Sequence, residues 1–194
     1  MENKLLFDNL NRYTTIGAED FERIESCLTK RFVKKKRSLL QEGDVCNHLY
    51  FVTKGALRSY RIDMAGNEHI MQFALEDHWV ADLASFITQS QGDMYIETIE
   101  DSEILLLPYK ELQGLLIEMP SLEKFFRQLF QHAYVSLQRR VALRESKPAK
   151  DRYLELIAAQ PSIAKRIPLL YIASYLGITA ESLSRVRGNI ANGK

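Results

Sequence analysis

Hydrophobic positions change their rhythm twice along this chain. Between residues 15 and 32, Phe21, Ile24, Leu28 and Phe32 recur every three or four positions after Thr14-Thr15, which predicts an amphipathic helix. From Leu39 to Leu107 the pattern becomes short β-rich runs: HLYFV, ALRSYRI, HIMQFAL, MYIETI and SEILLL. Lys54-Gly55, Gly66-Asn67 and Glu100-Asp101 separate them as turns. The run Lys34–Arg37 reads as a solvated strand edge leading into Ser38-Leu39-Leu40, since lysines blunt sheet edges. Short strands at this spacing predict a small antiparallel barrel or jelly roll. Inside it, Asp82–Phe86 (DLASF) looks like a single helical turn, and such an interruption marks a candidate ligand pocket.

After Pro108 the helical period returns, first in a short helix over Tyr109–Ile117. Ser121 then caps a long helix in which Leu122, Phe126, Leu129, Ala133, Leu137 and Val141 form one stripe. At 1.5 Å per residue it spans roughly 35–40 Å, too long for one small barrel to cover. Phe125 and Phe130 add a second apolar edge. One stripe is therefore assigned to the barrel and the other to a twin helix in a homodimer, with Leu122, Phe126, Leu129, Ala133 and Leu137 as the seam. Pro148 starts a further helix with Tyr153, Leu154, Ile157 and Ala158 on its apolar face, ending near Pro161.

The stretch Pro168–Gly188 reads as two short helices around a tight turn. Ile172, Ala173 and Leu176 share one face of the first helix, and Ile178, Leu183 and Val186 continue an apolar face into the second. Gly177 supplies the turn, Ala173 is small where the helices cross, and Thr179 caps the second helix. This is the spacing of a DNA-binding helix-turn-helix. Its outward residues Glu181, Ser182, Ser184, Arg185 and Arg187 suit base edges and phosphates and have no use in a core.

Charge sharpens the picture. The net charge of +1 hides a division: residues 1–120 hold 13 Lys and Arg against 20 Asp and Glu, whereas residues 121–194 hold 13 against 5. A basic half that carries a helix-turn-helix points to a polyanion, most simply double-stranded DNA. Hydrophobic content of 46% and charged content of 26% are those of an ordinary globular protein. No apolar run approaches 18 residues, and the N-terminus lacks the layout of a signal peptide, so the expected location is the cytoplasm. Cys27 and Cys46 lack metal spacing and read as reduced structural thiols. His48, His69, His78 and His132 form no HxH, so a cupin-like metal site is not expected.

The stretches QEGDVCNHLYFVTKGALRSY, HWVADLASF, SEILLLPYKEL and DRYLELI…IASYLGITAESLSRV, in this order, resemble the CRP/FNR family of bacterial transcription regulators, in detail its Bacteroidetes-type branch. The resemblance covers almost the whole chain. It implies an α+β protein: a cyclic-nucleotide-binding-like β-roll over 1–119, a dimerisation helix over 120–146 and a helix-turn-helix domain over 147–194. It also implies that Glu181 and Arg185 contact bases while Ser182 contacts phosphate. Ala180 stands where the cyclic-AMP-responsive member has a further arginine, so the target site should differ.

Two departures qualify the resemblance. The segment PSIAKRI is too short for the family's usual β-hairpin, which leaves DNA affinity to fewer backbone contacts, among them Lys165, Arg166 and Arg187. Nucleotide-binding members use a Gly-Glu pair for ribose and an Arg-Ser pair for phosphate, and the aligned residues are Ala81-Asp82 and Gly92-Asp93. Residues 62–109 contain no Lys or Arg and ten acids, so an anionic nucleotide lacks a counter-charge there and cyclic-AMP binding is not expected. Two cysteines also cannot hold a cluster that needs four ligands.

The expectation is thus a homodimeric, sequence-specific DNA-binding regulator, not an enzyme, with no cofactor and no metal. Thr179, Glu181, Ser182, Ser184, Arg185 and Arg187 form its DNA face. Trp79, Asp82, Leu83, Ala84, Ser85, Phe86 and Asp93 are candidates for a pocket taking a small uncharged effector, and RNA polymerase is a further partner consistent with the class. The rivals are a cupin-like metal-dependent enzyme and a protein-interaction module with a vestigial helix-turn-helix.

Overall fold

The computed structural model describes residues 3–191. Two helices open the chain, α1 (Lys4–Leu10) and α2 (Ala18–Ser26). Eight strands follow: β1 (Thr29–Val33), β2 (Ser38–Leu40), β3 (His48–Lys54), β4 (Leu57–Ile62), β5 (Glu68–Ala74), β6 (Trp79–Val80), β7 (Tyr95–Thr98) and β8 (Ser102–Pro108). The short helix α3 (Leu83–Thr88) interrupts them between β6 and β7. Then come α4 (Tyr109–Glu118), α5 (Pro120–Ser146), α6 (Ala149–Ala159), α7 (Ile163–Arg166), α8 (Leu169–Leu176) and α9 (Ala180–Ala191).

The strands form two antiparallel four-stranded sheets, ordered β1-β8-β3-β6 and β2-β7-β4-β5, rather than a closed barrel. β8 is central to the first sheet, pairing with β1 (Arg31 opposite Ile104) and β3 (Tyr50 opposite Leu106). Leu105, Leu106 and Leu107 are accordingly all buried, as in a strand covered on both faces. The chain divides into two compact units. The first holds the described residues through Arg61 together with Gln72–His132; the second holds Ile62–Met71 and the described residues from Ala133 onward.

In the first unit one continuous core joins α1, α2, both sheets, α4 and the start of α5. Asn9 is its polar pin. Its amide donates to Asp77 Oδ1 at 2.8 Å and to the Asp77 carbonyl at 3.0 Å, while its oxygen accepts from Trp79 Nε1 at 3.0 Å. In the second unit a separate core forms from Tyr153, Ile163, Ile167, Ile172, Ala173, Leu176 and Leu183. The hairpin tip between β4 and β5 belongs to that unit. There Ser174 of α8 accepts from the Ile70 N–H at 3.0 Å and donates to the Glu68 carbonyl at 2.7 Å.

Several expectations change. The helix expected over 15–32 is α2 alone; Leu28 lies beyond it, and Phe32 sits on β1 with 59% of its surface exposed. Thr29–Val33 carries two β-branched residues and pairs with β8, so sheet pairing overrides the helical spacing. Lys34–Arg37 is a turn between β1 and β2, not a strand edge: Lys36 has φ 58°, and Lys34 Nζ meets Asp101 at 2.9 Å. The PSIAKRI segment holds the single turn α7, and the described residues beyond α5 include no strand. The helix α1 is not among the elements that the hydrophobic pattern predicts.

Asn9→Ala leaves Asp77 and the Trp79 indole without these bonds in a partly buried setting. It should lower unfolding free energy by about 2–3 kcal/mol in urea titrations. An unchanged urea midpoint would show that the pin is not needed.

Candidate nucleic-acid interface

The turn between α8 and α9 explains why the helix-turn-helix forms where the sequence pattern places it. Gly177 ends α8 in the left-handed region, with φ 68° and ψ 40°. The Gly177 N–H bonds to the Ser174 carbonyl, and Ile178 N–H reaches back to the Ala173 carbonyl, both at 3.0 Å. These are the bonds of a Schellman-type stop. A side chain at 177 would meet more than backbone strain, because a Cβ there would lie 2.6 Å from Arg144 Nη2.

Thr179 then starts α9: its Oγ1 accepts from the Ser182 N–H at 3.1 Å, and its carbonyl accepts from the Leu183 N–H at 3.0 Å. Leu183 is fully buried, with Val186 and Ile190 half-buried on the same side. At about 100° per residue, Glu181 and Arg185 lie roughly opposite Leu183, whereas Arg187 lies only about 40° from it. Glu181, Ser184, Arg185 and Arg187 are all exposed, and Ser182 is half-buried. The carboxyl of Glu181 is held below its usual range, first by its own backbone N–H, then by the Thr179 hydroxyl and the Arg185 charge. It is thus ionised at neutral pH, an acceptor one turn from a guanidinium. Thr179 serves this surface indirectly, since its hydroxyl is engaged in the cap.

The pocket candidates scatter. Trp79 packs against Phe51 and Phe126 at ring distances of 5.0 and 5.5 Å and belongs to the core. Phe86, 2% exposed, meets Tyr109 edge-on. Asp82 caps α3 through Oδ1, which accepts from Ser85 N–H at 3.1 Å, while its buried Oδ2 has no hydrogen-bond partner. Gly92 lies against that oxygen, where a Cβ would collide. Ser85 Oγ is spent on Cys46 N–H and the Ser90 carbonyl. Leu83 and Ala84 lie on α3 near them, and Asp93 pairs with Arg61 at 2.9 Å.

A count of cations that begins at residue 62 misses Arg58 and Arg61 at the end of β4. Strand register places Arg58 opposite Glu97, and its buried guanidinium pairs with that carboxylate at 3.2 Å. It also lies 4.1 Å from the Tyr60 ring centre.

The seam assignment needs correction. Leu122 and Phe126 are 0% and 2% exposed within their own chain's core, and Leu129 packs against the same core. They fall on the face of α5 that turns to the sheets, so they are not free for a twin helix. Further along, Tyr134, Val135, Leu137 and Val141 are exposed at 60%, 59%, 44% and 51%, and Ala133 is exposed as well. Phe130, Tyr134, Leu137 and Val141 follow a 4-3-4 spacing, the repeat of a coiled-coil seam.

Among the described residues, no group of three or more His, Cys, Asp or Glu converges as a metal site. Burial raises the thiol pKa of both Cys27 and Cys46. Among the described residues, no helix is long and apolar enough to cross a membrane.

Comparison with known proteins agrees with this architecture. Residues 30–118 match the cyclic nucleotide-binding domain. The chain is 27% identical over 188 residues to an anaerobic regulatory protein of Haemophilus influenzae, covering 90% of this chain and 72% of that one. The fold is similar to FixK2 of Bradyrhizobium japonicum, with TM-score 0.76, 18% identity and coverage of 86% and 85% of the two chains. It is also similar to a transcriptional regulator of the crp/fnr family from Eubacterium rectale, with TM-score 0.70, 21% identity and coverage of 92% and 85%.

Gly177→Ala adds a Cβ in the left-handed region against a guanidinium. It should destabilise the protein by about 1–2 kcal/mol, measured by thermal or urea unfolding. A neutral effect would mean that the turn relaxes and that Arg144 does not press on it.

Proposed function

We infer that the chain belongs to the CRP/FNR family of transcription regulators and acts as a homodimer that binds double-stranded DNA sequence-specifically. The observation that carries this is α9: a helix seated on Leu183 and capped by Thr179, with an exposed Glu181–Arg185 face opposite its buried side. A guanidinium so placed can grip guanine O6 and N7 together, and an ionised Glu181 can accept from cytosine N4. Ser182 and Ser184 supply hydroxyls beside them. Arg187, on the flank of the helix, suits a phosphate, as do the exposed Lys165 and the half-buried Arg166 on α7.

Dimerisation rests on the exposed stripe of α5 at Tyr134, Leu137 and Val141, extended by Phe130. Its two recognition helices then meet successive major grooves, with half-site centres roughly 34 Å apart. The curated relative is named as a regulatory protein, which favours a regulator over the enzyme alternative. The β-roll is a re-purposed effector domain that does not take cyclic AMP. In support, Gly92-Asp93 stands where a phosphate would be gripped, and Arg58 and Arg61 are matched by Glu97 and Asp93. The unpartnered Asp82 Oδ2 fits a small uncharged effector with a hydrogen-bond donor better than an anion. RNA polymerase as a partner and a cytoplasmic location follow from the regulator reading.

Sequence selection from random duplexes should yield a two-fold symmetric consensus. On it, Arg185→Ala should weaken binding by about 1–3 kcal/mol per half-site and relax one symmetric pair of positions. Arg187→Ala should weaken all sequences alike and reduce the salt slope by about one unit. If Arg185→Ala keeps the wild-type ratio between selected and scrambled sites, the recognition assignment is wrong.

Val141→Glu places a charge in the proposed seam and should give monomers in sedimentation velocity, without lowering the melting temperature of the β-roll. An unaltered dimer would move the interface off this stripe.

A further inference from the structure

Within the second unit a cavity of about 240 Å³ opens among α5, α6 and the end of α8. Four arginines line it: Arg139, Arg140 and Arg144 from α5, and Arg152 from α6. Leu143 and Leu156 add apolar wall, and Glu155 is the one carboxylate in the lining.

The partners of these arginines show why the cluster is unusual. Arg140 spends one N–H on the Met71 carbonyl at 2.5 Å, and its guanidinium stacks 4.7 Å from the Tyr175 ring centre. Arg152 Nη1 donates to the Leu176 carbonyl at 2.5 Å, while its Nε is buried with no hydrogen-bond partner. Arg144 lies against the Gly177 backbone, and no described carboxylate pairs with it. Among the described residues, Arg139 alone of the four pairs with a carboxylate, Glu155 at 3.7 Å, and that group is shared with Lys147. Carbonyl and ring contacts orient a guanidinium but leave its charge uncompensated. Four positive groups lining one cavity that holds a single carboxylate repel one another unless an anion sits among them.

We propose that this cavity binds a small phosphoryl anion, a phosphomonoester or pyrophosphate, held by Arg144, Arg152, Arg140 and Arg139. Guanidinium forks match phosphoryl oxygens in pairs, and a buried Nε with an unused proton is a donor awaiting such an acceptor. The volume lies below the roughly 300–1,000 Å³ usual for drug-sized ligands, so the occupant is small. Leu143 and Leu156 leave room for a short carbon body beside the charge. The site touches the turn of the helix-turn-helix at Leu176 and Gly177, so its occupant ties that turn to α5 and α6. An effector would then act on the DNA-reading helices directly, separately from the β-roll. This regulatory consequence rests on the DNA-binding reading above; the anion site itself does not.

The test titrates the full chain with inorganic pyrophosphate and, separately, glycerol 3-phosphate by calorimetry, against potassium chloride at matched ionic strength. Saturable binding of one anion per chain is expected, at least tenfold weaker in Arg144→Gln, an exposed residue whose change should leave the unliganded melting temperature within a few degrees. Arg152→Gln should weaken binding at least tenfold as well, and a circular dichroism spectrum shows whether that variant has folded. Lack of saturable binding at millimolar anion, or equal binding by Arg144→Gln, overturns the proposal. So does loss of DNA affinity and salt slope in Arg144→Gln without any pyrophosphate binding, since the arginines would then serve the DNA backbone. Anisotropy on the selected duplex, with and without pyrophosphate, is read independently. Anion binding without DNA selection would sink the regulator reading and leave the anion site standing.

Discussion

An α-helix of 27 residues presents about 40 Å of side-chain surface, and the core of one small β-roll cannot cover that length. In α5 the first three turns are absorbed: Leu122, Phe125 and Phe126 are sealed among the sheets and the N-terminal helices. Beyond them the helix continues with aromatic and branched residues that nothing in the described chain buries. Apolar exposure at that density marks an interaction surface. The same continuation carries Arg139, Arg140 and Arg144 on its other sides, so the apolar stripe and the arginine cavity share one rod.

Charge is distributed as unevenly as apolar surface. In the β-roll, cations are met by acids across the sheet, Arg58 by Glu97 and Arg61 by Asp93, and Arg12 by Asp77 beside the Asn9 pin. From α5 onward the cations outnumber their acids, and guanidiniums settle for carbonyls and rings. A surface of that kind has affinity for phosphate wherever it is accessible. On the DNA-binding proposal, recognition would fall to the few positions, Glu181 and Arg185 above all, where geometry restricts what a base edge can present.

How much of this was legible depended on whether the signal was local. Gly177, Thr179 and Leu183 act within one stretch of seven residues, and their spacing alone determined the turn, the cap and the buried face. The helical turn at Asp82–Phe86 was readable for the same reason, although its cap by Asp82 emerged only in the fold. The α5 stripe was readable as apolar, but not as divided, because periodicity says which face is greasy and is silent about what lies against it. Leu122 and Phe126 were misassigned on that account. Phe32 went astray because its helical spacing belonged to a segment whose strand partner, β8, lies some seventy residues away. Arg58 was missed because only strand register brings it to Glu97. The arginine cavity had no signature, since Arg144 and Arg152 sit on different helices and converge only in the folded unit.

The hydroxyl of Ser174 has a consequence beyond the packing of α8. β5 lies at the end of its sheet, so one row of its backbone groups faces no neighbouring strand. Open edges of this kind are templates on which other chains add strands. By taking the Ile70 N–H and the Glu68 carbonyl, Ser174 occupies the two groups that an incoming strand would use first. A single side chain thus closes this stretch of sheet edge while it fastens α8 to the hairpin tip.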